Sequence, residues 1–222
     1  MLGWWFVDPK KWVAGEWRER EDGRFGSDYP RGFRSCASIP VALDYIRGGE
    51  DHVAQIEHGG CISKGTGEEK EVRWDVRYTE SCRARLVVAW EWTLGDSMSL
   101  VLNAADQYLN LCAPDNPRYP HISRALGAAN DLLRNPSESL LRETLSFART
   151  LMPVAPMGYY VAAAAVHVVS EVTGWATDSA KNATRCCADA FPSDAVYQTL
   201  HKRVLARLML REPIGVGDVS VG

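Results

Sequence analysis

The chain has 222 residues, 46% of them hydrophobic and 24% charged, with a formal net charge of −3. This composition excludes a disordered chain. At this length about 70% of the unfolded surface is buried on folding, so no disulfide or metal is needed to hold a core. The weakly acidic balance (pI about 6.0) argues against a dedicated duplex-DNA binder, whose footprint is basic.

The opening MLGWWFVDPKKW lacks the basic start, long apolar core and small-residue cleavage site of a signal peptide, so a soluble cytoplasmic protein is expected. Residues 1–78 read as an aromatic-rich region of irregular α+β character, with Trp4, Trp5, Trp12, Trp17 and Trp74. A short helix is predicted after Ser38, with Pro40 in its first turn and Gly48 and Gly49 beyond its end. Residues 52–57 alternate weakly and residues 71–78 alternate well, which predicts two strands, with GGCISKGTGEEK between them as a loop or the tip of a hairpin.

From Thr79 the period becomes helical. Residues 80–94 set Leu86, Trp90 and Leu94 at i, i+4 and i+8, predicting a helix closed by Gly95. The next helix, capped by Asp96 or Ser97, carries Leu100, Val101, Ala104, Tyr108 and Leu111. A third, over residues 121–134, presents Ile122, Leu126, Ala129 and Leu133. Ser137 caps a fourth with Leu141, Leu145, Ala148 and Met152. An alanine-rich fifth covers residues 157–173, with Gly174 at its end. A sixth, over 178–190, shows Ala180, Ala183, Cys187 and Ala190. Ser193 caps a last helix bearing Val196, Leu200, Val204 and Leu208.

The fold class expected is mainly α, a multi-helix bundle or stacked helical hairpins over residues 79–212, with residues 213–222 as a flexible tail. Small alanines permit close helix axes, so the fifth and sixth helices are the expected centre. Residues 150–170 carry no charge and are long enough to span a bilayer. Their prolines, glycine, histidine and alanines instead point to a buried helix.

The six cysteines, Cys36, Cys61, Cys82, Cys112, Cys186 and Cys187, read as reduced thiols, the last four within helical patterns. His52, His58 and Cys61 are close enough in sequence to begin a zinc site. No fourth ligand stands at a fixed spacing, so neither metal nor cofactor is expected. SKGTGEEK lacks the strand–loop–helix setting of a phosphate loop. Lone His167 reads as a core histidine. Lys202, Arg203, Arg207 and Arg211 complement the dipole of the last helix better than they make a nucleic-acid surface.

AADQYLNLCAPDNPRYPHISRALGAANDLLRN resembles the immunity proteins encoded beside bacterial polymorphic toxins. That family shows a helix with an apolar end, a P-x-D-x-R-P type loop, and an alanine-rich A-I-x-A-A-R helix. Here the matching residues are Pro114, Asp115, Pro117, Arg118, Ile122, Ala125, Ala128 and Ala129. MGYYVAAAAVHVVSEVTGWATDSAKNATRCCADAF resembles the family's pair of alanine-rich helices, and SCASIPVALDYIRGG its cysteine-containing first helix. The family's G-D-W segment and most of its histidines are missing. The resemblance implies a helical bacterial protein that acts by binding another protein, and it brings no catalytic residues with it.

Two groups are therefore candidate binding residues. Trp4 and Trp5 would form a docking surface if exposed. Asp115, Arg118, Tyr119 and His121 would form a polar patch at a helix N-terminus, where an anionic partner group is favoured. In the simpler structural reading of that loop, Asp115 and Asn116 cap the following helix while Pro117 and Pro120 fix its entry. The functional expectation is a non-enzymatic binding factor with a protein partner and no membrane or nucleic-acid role. The alternatives are a metal-binding protein or enzyme using His52, His58 and Cys61, and a subunit of a nucleic-acid-associated complex.

Overall fold

The computed structural model describes residues 1–12, 15–19, 33–46, 51–67 and 76–215. They fall into two compact units, residues 1–92 with 208–222, and residues 93–207. The boundary expected at 78/79 lies at 92/93. Among the described residues no helix is long and apolar enough to cross a membrane.

The first unit is built on six strands: β1 Leu2–Val7, β2 Trp17–Glu19, β3 Phe33–Cys36, β4 His52–Gly67, β5 Val76–Glu91 and β6 Ile214–Gly215. Antiparallel pairings β1–β3, β3–β5, β5–β4 and β4–β1 close four of them into a small barrel. Strands β2 and β6 add to β5, opposite Arg85–Arg83 and Ala89–Val88 respectively. Pairing around the ring leaves fewer unpaired backbone groups, the feature that templates aggregation. Part of the expected tail, Ile214 and Gly215, is thus a strand.

Strand β5 corrects the helix expected over residues 80–94. Leu86 pairs with Ile56, but Val88 pairs with Gln55, so the ladder shifts at Val87. An extra residue in one strand turns the following side chains to the other face. Leu86 and Ala89 therefore share one apolar cluster with Val7, Ala54, Ile56 and Ala84, while Trp90 stacks against Trp4. The four-residue spacing of Leu86 and Trp90, which looked helical, spans a bulge.

A short helix α1, Ile39–Ala42, continues as a 3-10 turn, Leu43–Tyr45. Ser38 occupies its N-cap position without accepting a cap bond, and Pro40 lies in the first turn as expected. Ile39, Ala42 and Leu43 are fully buried. Gly48, Gly49 and residues 71–75 of the expected strand lie outside the described residues.

The second unit is helical: α2 Leu94–Leu111, α3 Tyr119–Arg134, α4 Glu138–Leu151, α5 Pro156–Val169, α6 Thr173–Ala190 and α7 Ser193–Leu208, the last residue of which counts with the first unit. The α2 cap is Thr93, in a capping box. The Asp96 amide donates to Thr93 Oγ1 at 3.2 Å, and the Thr93 amide to Asp96 Oδ2 at 2.8 Å. Gly95 therefore opens a helix instead of ending one. Gly174 likewise lies inside α6, and the α5–α6 turn is made by Glu171 in a left-handed conformation (φ 55°). Ser137 caps α4 by accepting from the Leu140 amide at 3.2 Å.

Helix α5 packs against α2, α3, α4 and α6. Ala162 through Ala165 are almost inaccessible. Alanine fits there because it has no side chain beyond Cβ to hold neighbouring axes apart, and it is the best helix former. In α3 and α4 the expected Ile122, Ala129 and Ala148 are fully buried, and the remaining stripe positions are shifted by one residue or less buried. Ala125 and Leu132 are buried where Leu126 and Leu133 were expected, and Met152 is exposed.

Candidate binding site

Trp4 and Trp5 are packing residues, not an exposed pair. Trp4 is 7% exposed, and Trp5 is half-buried with its ring 5.3 Å from that of Tyr45. Alternation along β1 sends the two rings to opposite faces, and both faces are covered.

The start of a zinc site is taken apart in the same way. His52 Nδ1 lies 2.7 Å from Asp51. His58 is 3% exposed, with Nδ1 2.6 Å from Ser81 Oγ and Nε2 2.6 Å from Ser35 Oγ. The Ser81 hydroxyl donates its one proton to the Arg83 carbonyl at 2.5 Å. It must therefore accept from His58 Nδ1–H, which leaves Nε2 to accept from Ser35. Both ring nitrogens are in use, and burial together with the nearby Met1 ammonium lowers the His58 pKa to about 4. The Cys61 side chain lies outside the description.

The basic last helix is also engaged internally. Arg203 donates to Asp106 Oδ2 at 3.1 Å, and Arg207 Nε to the buried Asp96 Oδ1 at 2.9 Å. His167 is half-buried, its ring 5.2 Å from that of exposed Trp175.

In the 114–121 loop the side-chain cap expected from Asp115 and Asn116 is not made: the N-cap residue of α3 is Arg118, with no side-chain cap bond, and Asn116 instead closes a turn just before the helix. Asn116 Oδ1 accepts from the Arg118 amide at 2.9 Å, and its carbonyl accepts from the Tyr119 amide at 2.9 Å. Asp115 and His121 are exposed, and Tyr119 is half-buried. This turn sets Arg118 at the N-cap position of α3. The Arg118 side chain hydrogen-bonds the Tyr108 phenol, the main reason its pKa is raised. Tyr108 is itself buried, edge-on to Phe191 at 5.3 Å.

Arg118 forms one wall of a cleft of about 420 Å³ in the helical unit, shared with Pro156, Tyr160, Asn182, Arg185, Cys186, Asp189 and Ala190. Asn182, Arg185, Cys186 and Asp189 stand at i, i+3, i+4 and i+7, so α6 presents them on one face. Pro156 and Tyr160 come from the first turns of α5, whose N-terminal dipole favours negative charge. Asp115, Tyr119 and His121 are not among the walls.

Four titratable groups in this cleft are displaced from their ordinary pKa values. Besides Arg118, burial raises Tyr160. Burial also raises Asp189, against the opposing pull of Arg185. Cys186 is pushed up to about 11 by burial and by Asp189. Such clustering occurs at functional sites and also in structural ion-pair networks. It does not mark a nucleophile, because a thiol at that value is protonated and unreactive at neutral pH. The cleft holds two guanidiniums, one carboxylate, a phenol and an amide around a small hollow.

No protein-family model matches this chain, and neither does any curated protein or solved structure.

Proposed function

We propose that the protein is a non-enzymatic binding factor, of the immunity type its sequence resembles, that holds an anionic group of a protein partner in the α3–α5–α6 cleft. The carrying observation is that Arg118 and Arg185 line one hollow together with Tyr160, Cys186 and Asp189, whose titrations are displaced. Guanidinium forks bind carboxylates through two parallel hydrogen bonds. Arg118 makes its bond to Tyr108 and retains donors for a ligand, since a guanidinium has five.

The test is affinity capture from the native host with the wild-type chain, Arg118→Glu and Arg185→Glu, each checked for an unchanged melting temperature. A partner recovered by the wild type and lost by both variants supports the reading. Equal recovery by all three removes it.

A further inference from the structure

We propose that Ser35, His58 and Ser81 form a register lock in the barrel unit, a buried hydrogen-bonded layer that fixes how β3 and β4 align against β5.

The alignment needs such a device because the apolar pattern stops short of it. Val7, Ala54, Ile56, Ala84, Leu86 and Ala89 form one cluster, which ties β1 and the first half of β4 to the second half of β5. Beyond His58, β4 reads GGCISKGTG, with Ile62 its one large apolar residue. Strands rich in glycine and polar residues specify register weakly. The ladder also shifts between Gly59 and Ile62, where Gly60 takes φ 71° and β4 gains one residue on β5. Strand β3 has four residues, and among the described residues it meets β1 at a single pair, Trp4 with Cys36.

The polar layer supplies what the pattern lacks. Ser35 comes from β3, His58 from β4 and Ser81 from β5, and each is at most 3% exposed. Both ring nitrogens of His58 lie 2.6 Å from a serine oxygen. The donors run one way: Ser35 to His58 Nε2, His58 Nδ1 to Ser81, and Ser81 to the Arg83 carbonyl. Gly3 of β1 leaves the room for this, since a Cβ there would meet the Ser35 hydroxyl. A buried network with every bond made selects one arrangement. A one-residue slip of β4 would bring Glu57 or Gly59 to the place of His58, and a two-residue slip Ile56 or Gly60. None of these, with Glu57 ionised, both accepts from Ser35 and donates to Ser81. Each slipped register leaves buried hydroxyls short of a partner, which disfavours it by about tenfold or more.

The experiment compares the whole wild-type chain with the triple variant Ser35→Ala, His58→Leu, Ser81→Ala, which replaces the layer by apolar groups, using amide-resolved NMR and native-state hydrogen exchange. The variant is expected to fold and to show more than one set of amide signals at positions 33–36 and 62–67. Exchange there is expected to be about tenfold faster or more, while positions 2–7 and 52–57 keep one set at their wild-type rates. A single set throughout, with wild-type cross-strand contacts between positions 35 and 79 and between 62 and 81, overturns the proposal. Exchange that accelerates equally in all barrel strands also overturns it, because the layer would then supply stability and not alignment. Ser35→Ala alone, which leaves His58 Nε2 without its donor, decides the matter if the triple variant does not fold. Doubled signals confined to positions 33–36 support the lock, and a single set with the wild-type contact between positions 35 and 79 removes it.

Discussion

The two units handle internal polar groups in opposite ways. In the barrel unit, His58, Ser35 and Ser81 are all at most 3% exposed, and both ring nitrogens of His58 are within 2.6 Å of a serine oxygen. In the helical unit, the polar face of α6 opens onto a cleft with Tyr160 and Arg118 at its rim. A buried group with every bond made rigidifies a core, because leaving such a group unmade costs far more than making it gains. A half-exposed cluster with displaced titrations keeps capacity for something else. His58, part of the alternative metal reading, thus belongs to structure, while Arg118, a candidate binding residue from its loop, lines the cleft together with Arg185, which the sequence reading did not single out.

The largest effects should come from overfilling each unit at its tightest point. A Cβ added at Gly3 would sit 2.6 Å from Ser35 Cβ and 3.2 Å from the Cys36 carbonyl. Gly3→Ala must therefore move strand backbone, at a cost of about 3 kcal/mol or more. Ala164→Leu, at a position with no exposed surface between four helices, should cost about 1–3 kcal/mol. Denaturant melts followed by tryptophan fluorescence and by helical circular dichroism check both. A wild-type midpoint for Ala164→Leu would show that α5 is not the centre of its unit.

The same contrast explains what was legible in the sequence. Helices α3, α4 and α7 were readable because their breakers stand at the right places: Pro136 with Ser137, and Pro192 with Ser193. Val196, Leu200, Val204 and Leu208 are buried at the predicted spacing. Strand β5 was misread because the bulge at Val87 gives a period-two strand a local spacing of three and four. Its run LVVAWEW, rich in β-branched and aromatic residues, was the overlooked strand signal. The barrel's closure depends on pairings between segments far apart in the chain, such as Trp4 with Cys36 and His52 with Glu91, and periodicity carries no record of those. Of the candidate site, Arg118 was legible from its loop. The α6 wall was not sought, although Asn182, Arg185, Cys186 and Asp189 form a polar stripe at helical spacing.

A pH experiment separates the units more gently. His58 titrates near 4 when folded, against an ordinary value of 6.5. Between those values the unfolded chain binds more protons at this site than the folded one. Stability from neutral His58 is therefore complete above about pH 6.5 and declines as the pH falls toward 4, by at most about 1.4 kcal/mol per pH unit. His167 and His201, also lowered by burial, give slopes of the same sign in the helical unit. The informative measurement is the difference between wild type and His58→Gln in barrel-unit stability across pH 4 to 7. A slope unchanged by His58→Gln would place the titration elsewhere.

The smallest effects concern the loop that delivers Arg118. Its amide donates to Asn116 Oδ1, and the Tyr119 amide to the Asn116 carbonyl, so one residue fixes the turn into α3. Asn116→Ala removes the side-chain bond from an exposed stretch, which costs about 0.5–1.5 kcal/mol. Asp115 is exposed, and its replacement by alanine should change stability by no more than about 0.5 kcal/mol. The two substitutions are neighbours with similar surface chemistry, so they separate position from charge. If Arg118 acts because the turn aims it at the cleft, Asn116→Ala should weaken binding of the host partner in step with its small loss of stability. Asp115→Ala should leave binding unchanged. The reverse order, with Asp115→Ala abolishing binding at an unchanged melting temperature, would place the partner on the loop surface and not in the cleft behind it.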